Sequence, residues 1–327
     1  MSELNPIRAL LADVPFMVID GALATELEAL GCDLNDNLWS ARLLAQAPEK
    51  IRQVHQAYFE AGADCAITAS YQATVPGFMQ AGLTADKARA LIQLSVTLAQ
   101  QARDAVWQPG QTDRPKPLVA ASVGPYGAYL ADGSEYRGNY DLDRAGLVEF
   151  HRERFELLLT AGADLLAAET LPSLEEALAI TDLLAEHPDT HAWITFSAKD
   201  GQHISDGTPI AVCARALADC PGVAAIGVNC TALAHIESLI EEIRRECDLP
   251  VLVYPNSGEV YDPATKTWHP AACDYTAVGP FGLAQGVEHW LTAGASGIGG
   301  CCRTTPADIQ ALADWRSQRQ ASPVQGI

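Results

Sequence analysis

Three stretches of the chain repeat one pattern. Ala61-Gly62-Ala63-Asp64 leads into Cys65-Ala66-Ile67-Thr68, Ala161-Gly162-Ala163-Asp164 into Leu165-Leu166-Ala167-Ala168-Glu169, and Ala293-Gly294-Ala295-Ser296 into Gly297-Ile298-Gly299-Gly300. Each reads as a helix end, a glycine stop and a strand. Glycine suits the stop because the residue after a helix commonly takes the left-handed conformation, which side chains resist. The strands that follow are apolar without alternating, as in a parallel sheet covered by helices on both faces.

Apolar runs of this kind recur at Phe16 to Ile19, Ala66 to Ala69, Leu118 to Ser122, Leu165 to Ala168, Ala192 to Phe196, Ala224 to Val228, Val251 to Tyr254 and Gly297 to Gly300. Helical stretches lie between them, among them Ile51 to Ala61, Ala85 to Val106, Leu147 to Ala161 and Ser173 to Glu186. Eight βα units in one α/β domain predict a (β/α)8 TIM barrel, with a doubly wound open sheet as the alternative. No Pro/Ser-rich linker divides the chain. The reading places one barrel domain over residues 1–315 and a C-terminal tail over 316–327, of which Gln318 to Ile327 is expected to add nothing to the fold.

Composition narrows the class. Of 327 residues, 48% are hydrophobic, but no run approaches 18 uninterrupted apolar residues, so no membrane span is expected. The segment Met1 to Leu11 is too short and polar for the apolar region of a signal peptide. A formal net charge of −20 disfavours nucleic acid and anionic membranes as partners. A cytoplasmic enzyme with reduced thiols is the expectation. Cys32, Cys65, Cys213, Cys220, Cys247 and Cys273 show no ligand-like pairing and read as small buried hydrophobes.

Cys301 and Cys302 are different. Consecutive strand residues point to opposite faces, so two adjacent thiols share a target only where the strand has ended and the backbone turns. Gly299 and Gly300 permit that turn. Cys230 follows the sixth strand at a similar junction, and three thiolates make a soft Zn²⁺ site that keeps one coordination position open. A disulfide between the adjacent cysteines is the alternative. Thr305-Pro306-Ala307-Asp308 reads as a capped helix start whose positive end favours thiolates. Ser173-Leu174-Glu175-Glu176 reads as a second capping box, which leaves Glu169 in the loop ahead of that helix.

A barrel's active site lies at the C-terminal ends of its strands, and polar residues collect there: Asp20-Gly21, Ser70-Tyr71, Gly124-Pro125-Tyr126, Glu169-Thr170, Ser197, Asn229-Cys230, Pro255-Asn256-Ser257-Gly258 and Cys301-Cys302. Asp20 and Glu169 suit an ammonium group, although a helix cap or loop turn is the alternative for Asp20 and a structural ion pair for Glu169. Asn256 fits a turn former as well as a site residue.

Asp20-Gly21-Ala22 with Thr25-Glu26-Leu27, Ser122-Val123-Gly124-Pro125, Glu169-Thr170, Gly227-Val228-Asn229-Cys230, Tyr254-Pro255-Asn256-Ser257-Gly258 and Gly299-Gly300-Cys301-Cys302 together resemble the homocysteine S-methyltransferase family, over roughly residues 10 to 315. The likeness is greatest to its bacterial S-methylmethionine-using branch, and smaller to the betaine-dependent and cobalamin-dependent branches. The resemblance implies zinc on Cys230, Cys301 and Cys302. It also implies that Asp20 and Glu169 hold the amino group of homocysteine, and that the backbone amides of Gly21 and Ala22 hold its carboxylate.

The implied reaction moves a methyl group from a sulfonium to the homocysteine thiol. S-methylmethionine and S-adenosylmethionine both remain open as donors. The later loops carry Tyr126, Tyr129, Tyr136, Tyr140, Tyr261, Trp268 and Tyr275, rings that either hold a cation or pack the rim. Asp132 and Glu135 read as solvated surface or as added attraction. His235 and His289 read as helical and His269 as a loop residue, none of them a metal ligand. A Schiff-base lyase would want a strand-borne lysine, and Lys199 lies beyond the fifth strand. A non-catalytic zinc-binding or thiol-sensing barrel is the remaining alternative. Oligomeric state is not legible.

Overall fold

The computed structural model describes residues 5–34, 39–112, 114–257, 259–262, 267–270 and 282–321. Eight parallel strands form the sheet: β1 (Met17–Val18), β2 (Cys65–Ile67), β3 (Leu118–Val123), β4 (Leu165–Leu171), β5 (Ala192–Phe196), β6 (Val223–Asn229), β7 (Val251–Tyr254) and β8 (Ala295–Ile298). Each pairs with its chain neighbour except that β8 returns to β1. The ring closes between β1 and β2, where Ile19 bridges Cys65, the Asp20 N–H donates to the Cys65 carbonyl at 3.0 Å and the Asp64 N–H to the Val18 carbonyl at 2.7 Å. This is a (β/α)8 TIM barrel and not the open sheet.

Strand alternation divides the core in two. Met17, Cys65, Ala120, Leu165, Ala167, Trp193, Leu252 and Tyr254 pack together as the barrel interior. Val18, Ala66, Val119, Ala121, Leu166, Ala168, Ile194, Val251 and Val253 belong to the larger cluster beneath the helices. A period of two places residues i and i+2 on one face. Ser122 therefore follows Ala120 inward, Thr195 follows Trp193, and Glu169 follows Ala167.

Two expectations change here. β4 runs on to Leu171, so Glu169 sits on the strand and not in the loop ahead of the next helix. Glu169 lies inward at the mouth, and its polarity had suggested a strand end. In addition, Ser173 caps Glu176 N–H at 3.3 Å, but the Glu176 side chain does not return to complete the box; it turns inward to His151.

The repeated Ala-Gly-Ala-Asp motif does the same job twice at the barrel's N-terminal end. Asp64 accepts the Val18 N–H at 2.8 Å, and Asp164 accepts the Val119 N–H at 2.8 Å. Arg316 and Arg114 pair with Asp64, and Arg103 with Asp164. Below them the helix Pro6–Leu11, capped by Asn5, covers the barrel floor with Ile7 and Leu10, while Asn5 Nδ2 bonds the Ala224 carbonyl at 2.9 Å.

The last helix runs Pro306–Ala321, so the expected boundary at residue 315 falls inside it. Arg316, buried, also donates to the Phe16 carbonyl at 2.8 Å. The remainder of the expected tail, 322–327, lies outside the described residues. After β7 an antiparallel hairpin pairs Glu259–Asp262 with Thr267–Pro270, which puts His269 on a strand and not in a loop. Tyr261 stands opposite Trp268 there; Tyr275 and Cys273 lie outside the described residues. Cys65, Cys213 and Cys247 are buried as expected, and Cys32 and Cys220 partly so.

Candidate functional site

Cys230, Cys301 and Cys302 come together at the C-terminal mouth, their sulfurs all within 4.8 Å of one another. β8 ends at Ile298, and the two adjacent thiols lie in the turn beyond it, as their shared target requires. Gly299 and Gly300 are needed for close approach. A Cβ on Gly299 would come within 2.6 Å of Ile19 Cβ, and one on Gly300 within 2.3 Å of Thr304 Oγ1. The helix behind the pair begins with the expected box, Thr305 N–H and Oγ1 lying 2.7 and 2.9 Å from Asp308 Oδ2.

Three non-glycine residues at the mouth have left-handed backbones: Thr170 (φ 59°), Cys230 (φ 50°) and Arg303 (φ 67°). Such conformations cost about 1–3 kcal/mol each and persist only where the surroundings hold them. Asn229 does so for Thr170, its Oδ1 accepting the Thr170 N–H at 2.8 Å and its Nδ2 donating to Thr170 Oγ1 at 2.7 Å. Cys230 N–H is held by the Tyr254 carbonyl at 3.1 Å, and Arg303 N–H by Thr25 Oγ1 at 3.1 Å.

The sulfur geometry fits a thiolate-bound tetrahedral ion. Sulfurs about 2.3 Å from such an ion stand about 3.8 Å apart, and Cys230 Sγ and Cys302 Sγ are 3.8 Å apart. Tyr136 Oη lies 3.3 Å from Cys230 Sγ, and the Asn256 side chain also bonds this sulfur. Hydrogen bonds from Cys301 and Cys302 pull the Cys230 thiol well below the ordinary range, and their sharing with Cys230 pushes the other two up.

Asp20 and Glu169 are both buried beside this trio. Asp20 Oδ2 accepts the Ile67 N–H at 2.9 Å. Glu169 accepts from Ser122 Oγ and from Tyr254, whose own hydroxyl lies 3.0 Å from Trp193 Nε1 and 2.6 Å from Thr195 Oγ1. Burial pushes both acids up: Glu169 to about 7, Asp20 well above its usual range, with Glu169 adding repulsion to Asp20. Neither acid forms an ion pair with Lys or Arg among the described residues.

Gly21 sits in a cradle that a Cβ would fill, with Thr304 Oγ1 at 2.8 Å and the Tyr58 ring at 2.9 Å. Ala22 N–H is already taken, donating to Thr304 Oγ1 at 3.1 Å, while Tyr58 Oη donates to the Ala22 carbonyl at 3.1 Å. Asn256 is anchored by its N–H on the Thr231 carbonyl at 3.1 Å, and its side-chain Oδ1 is buried without a partner. On the rim, Tyr126 packs against Tyr129, Tyr140 and Phe150, so these rings contact one another, whereas Tyr136 reaches the thiols. Ser122, Tyr254, Asn229, Thr304 and Tyr58 are site-building residues to which sequence reasoning assigned no role.

A TIM barrel whose mouth gathers three thiols beside two buried acids, neither ion-paired to Lys or Arg among the described residues, has the donor set of a thiol-ligated metal site. A family model described as homocysteine S-methyltransferase matches residues 17–316. The chain is 57% identical to the homocysteine S-methyltransferase YbgG of Bacillus subtilis, covering 95% of this chain and 98% of that protein. It is 51% identical to the Escherichia coli homocysteine S-methyltransferase, covering 95% and 99%. The crystal structure of the E. coli homocysteine methyltransferase MmuM in its metallated form superposes with a TM-score of 0.84 at 48% identity, over 94% of this chain and 99% of that one. The chain belongs to the homocysteine S-methyltransferase family and is an enzyme of that family.

Proposed function

We propose that this enzyme moves a methyl group from a sulfonium donor, S-methylmethionine or S-adenosylmethionine, to the thiol of L-homocysteine, with zinc held by Cys230, Cys301 and Cys302. The observation that carries the reading is the pairing of three sulfurs within 4.8 Å of one another, two of them at the 3.8 Å of a tetrahedral site, with two buried acids that have no paired cation among the described residues. Bound zinc supplies an open fourth position and a charge that favours the thiolate form of a ligating thiol.

The chain's own residues position the amino acid. Asp20 and Glu169 receive its ammonium group, which supplies the missing cation and lowers both pKa values. Ser122 and Tyr254 keep the Glu169 carboxylate aimed inward. The Gly21 N–H meets the substrate carboxylate directly, and Ala22 contributes only by sharing its N–H with Thr304. Asn256 and Tyr136 fix Cys230. In the transfer, the donor's S–CH3 bond breaks with its electron pair going to the donor sulfur, a new S–CH3 bond forms on homocysteine, and the thiol proton passes to solvent. With S-methylmethionine, both products are methionine.

Parallel assays of methionine formation with each sulfonium donor and with betaine, with zinc and after chelation, test the reading. The expected result is zinc-dependent turnover with a sulfonium. Zinc-loaded protein that makes no methionine from any sulfonium, or chelated protein that is fully active, refutes it. Homoserine, which keeps the amino and carboxylate groups but lacks sulfur, should compete poorly.

A further inference from the structure

One acid near the thiols has no part in holding the amino acid. Glu135 lies in the short turn Ser134–Tyr136, on the loop that leaves β3 and reaches over the mouth. The turn is fastened on three sides. Gly127 packs under it so tightly that a Cβ would sit 2.3 Å from the Glu135 N. Ser197 Oγ donates to the Glu135 carbonyl at 3.3 Å, and the next residue, Tyr136, contacts Cys230. The carboxylate is thereby held in place, and its Oε2 is buried with no hydrogen-bond partner among the described residues.

The surroundings locate that carboxylate. Burial raises its pKa, and the negative charge of Cys230 raises it further. In return, after burial itself, Glu135 is the group that most raises the Tyr71 hydroxyl, and it also raises Tyr140. The adjacent Tyr136 brings this turn to the Cys230 sulfur, Oη and Sγ lying 3.3 Å apart, and the hydroxyls of Tyr71 and Tyr140 feel the charge of Glu135. Arg137, mostly exposed and 3.9 Å from Asp132, offsets that charge in part. A buried carboxylate oxygen without a donor, close to tyrosines and to a thiol cluster, suits a cation.

We propose that Glu135 is the counter-ion of the methyl donor's sulfonium, in a subsite walled by Tyr71, Tyr136 and Tyr140. The inference rests on the methyl-transfer reading above and adds the place where the donor binds. Glu135 is carried by a loop over the mouth, whereas Asp20 and Glu169 stand at the ends of β1 and β4, so the donor and the amino acid have separate carboxylates. The step itself is unchanged: the sulfonium loses its charge as the methyl leaves. A carboxylate pressed against that cation holds the bound donor more strongly than the transition state, in which the charge is already dispersing. Its removal should therefore raise the donor's KM without lowering kcat.

Steady-state kinetics of the zinc-loaded enzyme test this with Glu135→Gln and Glu135→Asp. The expected result for the glutamine variant is a donor KM raised about tenfold or more, an unchanged homocysteine KM, and the loss confined to KM. The aspartate variant, which keeps the charge, should recover part of the affinity. Trimethylsulfonium, which has no ammonium or carboxylate, should inhibit competitively against the donor and lose about the same factor in Glu135→Gln; undiminished inhibition would move Glu135 to the donor's ammonium and overturn the sulfonium assignment. An unchanged donor KM, or equal rises in both KM values, also overturns it. Wild-type enzyme inactive with every sulfonium would instead overturn the methyl-transfer reading itself.

Discussion

The two ends of the barrel treat buried charge in opposite ways. At the floor, Asp64 is paired with Arg316 and Arg114 and accepts the Val18 N–H, and Asp164 repeats the arrangement with Arg103 and Val119. At the mouth, Asp20 and Glu169 are buried as Asp64 is, and more fully than Asp164, with no cation paired to them among the described residues. An isolated buried charge is expensive and is tolerated only when paired or neutralised. The floor therefore completes itself on folding. On the function proposed above, the mouth is completed by what binds: a metal for the thiols, an ammonium for the acids.

The contrast breaks most sharply at the thiols. Cys302→Ala leaves two of the three clustered sulfurs, and turnover should fall by about a thousandfold or more while the melting of the barrel changes little. Circular dichroism and metal analysis check this: full activity, or a variant that no longer folds, would contradict the division of labour. The reverse should hold at the floor. Asp64→Asn leaves Arg316 buried without its counter-charge and should lower stability by about 3–5 kcal/mol, read from urea unfolding, with KM for homocysteine unchanged in the folded fraction. A floor variant as stable as wild type would mean that the pairing adds little.

The same asymmetry decides what could be read from the sequence. The barrel was legible because three helix ends carry the same glycine stop and the strands are mostly apolar runs, both local signals. Strand ends at the mouth were not: Glu169 broke the apolar run, yet β4 continues to Leu171, which still pairs with Phe196, because backbone pairing does not require an apolar side chain at the barrel top. The thiols were legible because adjacent cysteines after a double glycine have few structural uses. Ser122, Tyr254, Thr304 and Tyr58 were silent, since their roles arise across strands and helices far apart in the chain. Only alternation counted from Ala120 and Leu252 would have turned Ser122 and Tyr254 inward. Arg316 was placed in a tail because its partner, Asp64, is on the other side of the sequence.

A smaller effect sharpens the comparison through pH. Glu169 has a folded pKa of about 7 against an ordinary 4.5, raised by burial. Between these values the folded protein binds more protons than the unfolded chain, so stability falls as pH rises. The contribution is fully present below 4.5 and lost as pH passes through about 7. Glutamine mimics the protonated acid, so in metal-free and substrate-free protein Glu169→Gln should match wild type near pH 4.5 and exceed it at pH 8 by up to about 3 kcal/mol. Equal stability at both pH values would show that the mouth is already neutralised from within.

The smallest expected effect is on the substrate itself. If Glu169 must be ionised to receive the ammonium group, kcat/KM for homocysteine should rise as pH increases through about 7. Glu169→Gln should flatten that rise and raise the homocysteine KM about tenfold, while zinc content stays the same and the donor KM is unaffected. Only the loss of a charge that recognises the amino acid gives this combination; a distorted mouth would move the zinc content or both KM values. A variant that kept the wild-type KM and pH profile would mean that Asp20 alone carries the ammonium and that Glu169, with its Ser122 and Tyr254 bonds, is part of the barrel's packing.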